Sequence, residues 1–199
     1  PEEADVPEGL DESVIVIQGP LENIYMAATA VMALVSGIGG LDRVGFSSVT
    51  ADNWYVEAAR DAMNAGEIQF AGKYSEPDFE MLLSQGCDLA VESTMILHTP
   101  KVQEMIEKLG IPVFIDRSSY EPHPLGRSEW VKVYGALLGL EDEADAFFKE
   151  QSAVMDELKD FESTGKTVAF FSLHTNGTVV VRRTEDYVPR MIELAGLQP

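Results

Sequence analysis

The sequence predicts an α/β protein with a parallel-sheet first lobe, a long helix and the start of a second α/β lobe. Short apolar runs alternate with helical segments up to about residue 138, as in a parallel sheet covered by helices on both faces. Residues 141–161 then place an apolar side chain at every third or fourth position, which indicates one face of a long helix. A β-rich segment at 167–171 follows, where a second sheet would begin.

The first strands and helices are predicted from β-branched runs and turn residues. Residues 14–18, VIVIQ, end at Gly19-Pro20 and predict the first strand, with a helix over 21–35 after it. Further along the chain the same signals predict a strand over 43–46, a helix over 54–64 and a short strand over 68–70.

The next two units are marked by proline and glycine. Pro77 and Asp78 predict the start of a helix that reaches residue 85, because a proline in the first turn loses no hydrogen bond. A buried strand over 89–91, a helix over 100–109 and a strand over 111–115 follow. Because the strands are apolar without alternation, we expect a Rossmann-like parallel sheet.

A helix over 128–138 leads to the long helix of 141–161. Glu141, Asp142 and Glu143 favour its start because acids suit the positive end of the helix dipole. At 1.5 Å per residue it would span roughly 30 Å. The helix is interpreted as a spine between two lobes, and a surface helix of one continuous α/β domain fits the same periodicity.

Beyond the helix, Asn176-Gly177 between two β-rich runs predicts a hairpin over 167–182, with a helix over 188–195 after it. A partial second lobe cannot bury its own sheet, so we expect it to pack on the first lobe, pair with another copy or move. The predicted division is a flexible tail at 1–12, an N-terminal lobe at 13–125, a helical segment with the spine at 126–165, and the start of an incomplete C-terminal lobe at 166–199.

Composition excludes several kinds of partner. The formal charge is −20, from 34 acidic and 14 basic residues, so binding to nucleic acid or to an anionic membrane surface is not expected. With Cys87 as the only cysteine, the 199 residues form no internal disulfide and no cysteine-based metal site. The longest apolar run, 26–35, is too short to cross a bilayer.

Candidate site residues follow the predicted strands, because ligands of parallel α/β sheets bind beyond the carboxyl ends of the strands. They are Glu22, Ser48, Lys73, Tyr74, Ser93, Thr94, Arg117, Tyr120, His123, Arg127, His174, Arg182 and Arg183. Five of them are Lys or Arg, which indicates a locally positive cleft for an anionic ligand in an acidic protein. The alternative is that Arg117 and Arg127 pair with nearby acids and only hold a loop.

The three histidines, His98, His123 and His174, lack the close paired spacing of a zinc site. His123 lies between two prolines, on a stiff loop, and is therefore the best candidate of the three for contacting a ligand. The sequence contains no G-x-S-x-G, G-x-x-x-x-G-K-[ST] or H-E-x-x-H motif. It therefore gives no reason to expect an enzyme, a cofactor or a bound metal.

Four segments, in this order, carry a resemblance to a known family. Residues 72–83, GKYSEPDFEMLL, followed by 86–91, GCDLAV, resemble the P-D/N-x-E-x-I/L and P-D-L-V segment of class III periplasmic binding proteins. These are the receptors for ferric siderophores, haem and vitamin B12 in ABC importers. Residues 108–113, KLGIPV, resemble the family's entry to its fourth strand. Residues 138–140 and 187–196 resemble the start of its inter-lobe helix and the helix that opens its second lobe.

The resemblance implies an extracytoplasmic substrate-binding protein that captures an iron complex or corrinoid and delivers it to a membrane permease. The resemblance also implies export, either as a free periplasmic protein or as a lipoprotein with its anchor upstream of Pro1. It implies a monomer for the complete protein. Glu80 matches the carboxylate that docks on the permease, although an acid there also favours the helix N-terminus. The chain departs from the family pattern because its second lobe is shorter and because Gly86-Cys87 replaces a proline.

Two other functions are compatible with the sequence. A tetrapyrrole- or metal-handling enzyme, similar to a chelatase, would need a titratable residue with a partner at the cleft, and only His123 near Glu121 and Asp116 offers one. A zinc or manganese receptor would need three or four converging histidine and carboxylate ligands. Histidines on three separate loops make this receptor the least favoured interpretation.

Overall fold

A computed structural model describes residues 6–11, 14–19, 21–158 and 162–199. The strands are β1 (Ile24–Met26), β2 (Val44–Ser47), β3 (Gln69–Phe70), β4 (Gly72–Lys73), β5 (Glu76–Pro77), β6 (Leu89–Ser93), β7 (Val113–Asp116), β8 (Phe171–Leu173) and β9 (Val179–Val181). The α-helices are α1 (Thr29–Gly37), α2 (Glu57–Ala65), α3 (Phe79–Ser84), α4 (Pro100–Lys108), α5 (Pro124–Glu129), α6 (Val131–Leu138), α7 (Glu141–Leu158) and α8 (Tyr187–Leu194).

Five strands form one parallel sheet in the order β3-β2-β1-β6-β7. From the central β1 the chain steps outward to β2 and β3, and it then crosses to the other side of β1 to add β6 and β7. The strand order therefore reverses between β1 and β6. All five strands end at the same side of the sheet, which we call the carboxyl edge. The predicted α/β class with a parallel sheet is confirmed.

The sheet has a hydrophobic core on each face. On one face Ile24 and Met26 of β1 pack with residues of α1 and α6, including Val31 and Leu138. On the other face Tyr25 packs with side chains that include those from α3 and α4. Alternate residues of β1 thus enter opposite cores, and all three are at most 2% exposed.

The predicted first strand over 14–18 is wrong. Val14, Ile15 and Val16 lie outside every strand and are 45–58% exposed. The first strand is β1, ten residues later, because that segment pairs with both β2 and β6 in the middle of the sheet. The predicted helix over 21–35 is also corrected, since its first part forms β1 and the helix begins at Thr29.

The long helix is present as α7, from Glu141 to Leu158, with its three predicted acids in the first turn. The predicted last residues, Lys159 to Phe161, lie outside the described part of the chain. The apolar stripe is buried mainly at its start, where Ala144 is fully buried. The preceding helix, predicted over 128–138, is two helices, α5 and α6, and it begins earlier, at Pro124.

The last described segment begins a second α/β unit. The predicted hairpin is formed by β8 and β9, although it is shorter than predicted. Thr167 pairs in parallel with Gln198, and α8 lies between these two positions in the chain. Tyr187 of α8 packs against Arg127 of α5, so this segment folds back onto the rest of the chain. No helix in the described part of the chain is long and apolar enough to cross a bilayer.

Candidate ligand-binding cleft

The carboxyl edge next to the strand reversal is closed by backbone hydrogen bonds. The N–H groups of Ala27 and Ala28, directly after β1, both donate to the carbonyl of Val91 in β6 at 2.9 Å. Ser48, directly after β2, is buried, and its N–H donates to the carbonyl of Met26 at 3.1 Å. The Ser48 hydroxyl donates to the Ala27 carbonyl at 3.5 Å. These residues form the floor of the edge and fix the loops above it.

Lys73 and Tyr74 lie in the small antiparallel hairpin of β4 and β5 that follows β3. The Lys73 side chain is exposed, whereas Tyr74 is half-buried and packs against one of the two cores. The hairpin is held to the sheet because the Tyr25 hydroxyl donates to the Gly72 carbonyl at 3.0 Å. Both residues are therefore at the carboxyl edge, on the β3 side of the sheet.

The loops after β6 and β7 meet through two of the predicted site residues. The hydroxyl groups of Thr94 and Tyr120 lie 3.0 Å apart and share a hydrogen bond. Ser93 does not take part in this contact between the loops. Its hydroxyl accepts the Met95 N–H at 3.3 Å and so caps a short 3-10 turn. Tyr120 is 66% exposed, so its ring remains available beside Thr94.

A buried network anchors the loop after β7. The Tyr134 hydroxyl in α6 donates to Asp116 Oδ1 at 2.6 Å, and the Ser118 hydroxyl donates to Asp116 Oδ2 at 2.9 Å. Burial, together with this hydrogen bond to Asp116, raises the pKa of Tyr134 well above its ordinary value. The phenol thus remains a neutral donor, and Asp116 serves as the anchor of the loop that carries Tyr120.

Arg127 holds the same loop from the other side. Its Nε donates to the Glu121 carbonyl at 3.0 Å, and its guanidinium also donates to the Ser119 carbonyl. The guanidinium lies over the Tyr187 ring, 3.6 Å from the ring centre. This contact set matches the loop-holding alternative, with backbone carbonyls in place of the expected acids. Arg117 is exposed and makes no ion pair with any described residue.

A pocket of about 410 Å³, here called the cleft pocket, lies between this loop and the start of the second unit. It brings together four predicted site residues, Tyr120, Arg127, Arg182 and Arg183. Arg182 pairs with Asp186 at 3.3 Å. The hydrogen bond from Thr184 and the nearby arginines lower the pKa of Glu185, which also lines the pocket. The pocket is therefore rich in charge of both signs, with arginine side chains from α5 and from the connection after β9.

A second pocket of about 500 Å³ adjoins the cleft pocket and shares Pro122 and Glu185 with it. Its wall includes His123, Arg190 and Glu193. His123 Nδ1 accepts the Leu125 N–H at 3.2 Å and so caps α5. Asp116 is engaged by Tyr134 and Ser118, and Glu121 Oε1 accepts the Trp130 indole N–H at 3.1 Å. Among the described residues, neither of these acids forms a hydrogen bond with His123 of the kind that a chelatase-like enzyme would need.

Several predicted site residues lie away from the cleft pocket, among them Glu22, His174 and the Lys73-Tyr74 pair. Glu22 is a correction, because it precedes β1 instead of following the first strand and so lies at the opposite edge of the sheet. There its N–H donates to Asp88 at 2.9 Å and its carboxylate lies 3.5 Å from Arg43. His174 is exposed at the tip of the β8–β9 hairpin. Lys73 lies beyond β2, on the far side of the carboxyl edge.

Two notable residues were not predicted from sequence. Tyr55, in the loop after β2, is fully exposed, and the signal that could have found it is an aromatic pair, Trp54-Tyr55, close behind a strand. Glu92 is buried in β6, and neither of its carboxylate oxygens has a hydrogen-bond partner among the described residues. Burial raises the pKa of Glu92 to about 8. The sequence does not predict this burial, because a single acid in an apolar strand does not show whether its carboxylate has a hydrogen-bond partner.

Among the described residues, no three histidine, cysteine or acidic side chains come close enough together to hold a metal ion. The cleft pocket offers guanidinium groups and phenols as donors, and the carboxylates of Glu121, Glu185 and Asp186 as acceptors.

Comparison with known proteins gives a family match over most of the chain. The model of the family described as "Periplasmic binding protein" matches residues 24–199. An uncharacterised lipoprotein of Methanocaldococcus jannaschii is 26% identical over 153 residues, which cover 72% of this chain and 36% of that protein.

Solved structures share the fold at low identity. The periplasmic haem-binding protein HutB of Vibrio cholerae superposes with a TM-score of 0.69 at 20% identity, over 90% of this chain and 65% of HutB. Holo-ViuP gives 0.67 at 17% identity, over 92% of this chain and 60% of ViuP. The siderophore-binding protein BauB, solved with acinetobactin and ferric iron, gives 0.65 at 13% identity, over 92% and 63%. HutB and BauB are described as binding proteins, and all three structures share the fold of this chain.

Proposed function

We propose that this chain, which belongs to the periplasmic binding protein family, acts as the substrate-binding part of an ABC importer. Its ligand is an iron complex or a corrinoid, and the iron complex would be a ferric siderophore or haem. The chain spans 60–65% of the length of the three solved structures above, so the activity of a whole receptor is inferred from the part seen here. HutB and BauB, which bind haem and a ferric siderophore, support an iron complex as the first choice.

The observation that carries the proposal is the cleft pocket. It lies at the carboxyl edge of a parallel sheet, where ligands of open α/β folds bind, and between two α/β units that each contribute a wall. Tyr120 comes from the loop after β7, whereas Arg182 and Arg183 come from the chain after β9. A ligand between them would contact both units at once.

Three arginines and three acids, Glu121, Glu185 and Asp186, line the cleft pocket, so the support for an anionic ligand comes from the arginine side chains and not from a net positive charge. Arg182 and Arg183 line the pocket, and Arg117 lies exposed on the loop after β7, in a chain with a formal charge of −20. Guanidinium groups form strong charge-assisted hydrogen bonds with carboxylate and phenolate oxygens. Arg127 is already engaged with the loop and Tyr187, so we assign it to shaping the pocket. Arg182 uses one guanidinium nitrogen in its exposed pair with Asp186, so its other nitrogens, together with Arg183 and Arg117, are assigned to the ligand's charge.

The other predicted site residues differ in how closely a ligand in the cleft pocket would approach them. They are Lys73, Tyr74, Ser93, Thr94, His123 and His174. Thr94 supports the position of Tyr120, and His123 forms the neighbouring wall. Lys73 and Tyr74 would be reached only by a ligand that extends across the carboxyl edge. His174, at the hairpin tip, would be reached only if the hairpin bends toward the ligand.

The binding test uses the purified 199-residue chain and three probes: haemin, a gallium-loaded catecholate siderophore and cyanocobalamin. Fluorescence of Trp54 and Trp130 and calorimetry report binding. We expect one iron-type probe to bind with a dissociation constant of roughly 0.1–1 mM, since the second wall is small. No binding of any probe at millimolar concentration would contradict the proposed function.

An arginine pair provides the matched control. Changing Arg182 to Ala is expected to weaken binding by about 1.5–3 kcal/mol if its charged hydrogen bond to the ligand is lost. Changing Arg43, which pairs with Glu22 at the opposite edge, to Ala should leave the affinity unchanged. Equal losses in both variants would show that only overall charge matters and not the pocket.

We also propose that Glu80 docks the protein on its permease. Glu80 is exposed in the first turn of α3, and its neighbour Asp78 already caps that helix by accepting the Met81 N–H at 2.9 Å. The helix start therefore does not depend on Glu80. In cells that carry the complete receptor and its permease, Glu80→Lys should abolish uptake while ligand binding persists. Normal uptake by that variant would remove the docking role.

The proposed location is extracytoplasmic, and the proposed complete receptor is a monomer. The family name and the lipoprotein relative support this location. Fractionation of cells with an antibody to the chain would test it, and recovery with cytoplasmic markers alone would contradict it.

A further inference from the structure

Exposed apolar side chains of the sheet domain gather at the carboxyl edge. Between residues 21 and 138, all of which the structure describes, eight large apolar side chains are exposed. Five of the eight lie at the end of a sheet strand or in the loop after it: Tyr55, Phe70, Met95, Leu97 and Tyr120. These include all three exposed aromatic residues in this range. Folding alone gives no reason for such a concentration on one edge.

Tyr55 is fully exposed, on a loop that is otherwise rigid. Its neighbour Trp54 is 5% exposed, and the indole N–H donates to the Ser47 hydroxyl at 3.0 Å. The Asn53 side chain donates to the Thr50 hydroxyl at 2.8 Å, and the Trp54 N–H donates to the Ala51 carbonyl at 3.1 Å. The loop thus presents the phenol ring to solvent without ring packing of its own, so ring contact with a ligand costs little loop ordering.

Tyr55 lies in the connection after β2 and Tyr120 in the connection after β7. The order β2-β1-β6-β7 sets these two strands three strand spacings apart, or roughly 14 Å. Met95 lies between them, on the loop after β6. A ligand that reaches from the cleft pocket to Tyr55 must therefore be large, with apolar surface along its length.

From this arrangement we propose that the ligand is an anionic aryl complex of ferric iron, whose aromatic surface contacts Tyr55 and Tyr120 while its charge faces Arg182 and Arg183. The proposal rests on the proposed function and narrows it. Aromatic rings stack on flat π surfaces, and thioether sulfur also packs well against them. A catecholate siderophore complex and haem share this chemistry, whereas an aliphatic hydroxamate complex lacks the aromatic surface.

The test compares four probes on the same chain: haemin, a gallium catecholate complex, a gallium hydroxamate complex and cyanocobalamin. We expect an aryl probe to bind at least tenfold more tightly than the hydroxamate complex. The haemin and catecholate arms distinguish the two sources of the aryl group. Tyr55→Ala should weaken the aryl probe about three- to tenfold, as expected for a lost aromatic contact. Tyr55→Phe should retain the affinity.

Met105→Ala is the control, since Met105 is exposed on α4 away from the carboxyl edge, and it should bind like the unmodified chain. Thermal unfolding should be unchanged in all three variants, because neither side chain is buried. Equal affinity for the hydroxamate complex, or unchanged aryl binding by Tyr55→Ala, would overturn the aryl proposal while the proposed function stands. A loss in Tyr55→Phe as large as in Tyr55→Ala would assign the contact to the hydroxyl and overturn ring stacking. Failure of every probe would instead overturn the proposed function.

Discussion

At the level of single residues, the hydrogen bond from Tyr134 to Asp116 holds the loop that carries Tyr120. Tyr134→Phe removes one donor from a buried carboxylate, which retains only the hydroxyl and N–H of Ser118. We expect the free energy of unfolding to fall by about 1–3 kcal/mol. Urea denaturation followed by tryptophan fluorescence measures this change.

Tyr120→Phe provides the comparison for that variant. It removes the exposed bond to Thr94 but no buried partner, so its stability should change by less than about 1 kcal/mol. If Tyr134→Phe is as stable as the unmodified chain, the buried network does not anchor the loop.

Glu92 makes stability depend on pH. Its folded-state pKa is about 8, raised by burial, whereas an unfolded glutamate titrates near 4.3. Between these values the folded state binds the proton and the unfolded state does not. The contribution of Glu92 is therefore fully present below the unfolded pKa and is lost as the pH rises toward about 8, at about 1.4 kcal/mol per pH unit.

Glu92→Gln tests this dependence, because glutamine has the same shape and no charge. The stability difference between the variant and the unmodified chain should grow in favour of the variant from pH 5 to pH 8. Denaturation curves at four pH values measure it. A difference that stays constant over this range would show that Glu92 does not titrate as described.

At the residue level, the sequence locates loops where strand ends were predicted nearly correctly, and the ligand-binding roles of the residues on those loops stay predictions. Tyr120, Arg182 and Arg183 meet in one pocket because each follows a strand that was predicted nearly correctly. Glu22 was misplaced because the first strand was misplaced. Whether Arg127 holds a loop could not be decided from sequence, because its partners are backbone carbonyls that any residue type supplies.

At the level of elements, α6 and α7 pack unusually closely at Gly135. A Cβ atom added there would lie 2.5 Å from the Ala144 Cβ and 3.0 Å from the Leu140 carbonyl oxygen. Alanine favours a helix over glycine by about 1 kcal/mol, but neither of these neighbours has a flexible end that can move away. We therefore expect Gly135→Ala to lower the free energy of unfolding by about 1–3 kcal/mol.

Gly126→Ala, in α5, is the matched control for this steric effect. Its added Cβ would meet only the Glu121 side chain, at 3.2 Å, so its stability should change much less. Urea denaturation of both variants gives the comparison. A stable Gly135→Ala protein would mean that the two helices can separate without cost.

The strands show why element prediction from sequence is uneven. Residues 14–18 have stronger β-forming side chains than Ile24–Met26, yet only the second segment has neighbours on both sides in the sheet. Partners distant in sequence decide which segment becomes a strand, and local propensity does not contain them. The strand at 89–91 was predicted because proline- and glycine-marked helices bracket it.

At the level of the whole molecule, Arg127 and Tyr187 form a contact between the two α/β units, and residues of both units line the cleft pocket. The second unit presents little apolar burial of its own, since Phe171, Leu173 and Val181 are 52–68% exposed. A ligand held mainly by one wall loses contact area, which is the reason for the weak affinity expected above.

The central claim is that ligand binds at the carboxyl edge, between the two units. The most direct measurement is an amide correlation spectrum of the ¹⁵N-labelled chain with the ferric catecholate complex and, separately, with its diamagnetic gallium form. The account predicts that iron broadens the signals of Thr94, Tyr120 and Arg182 while those of Glu22 and Asp88 at the opposite edge remain sharp. Broadening at the opposite edge, or equal broadening over the whole chain, would contradict it.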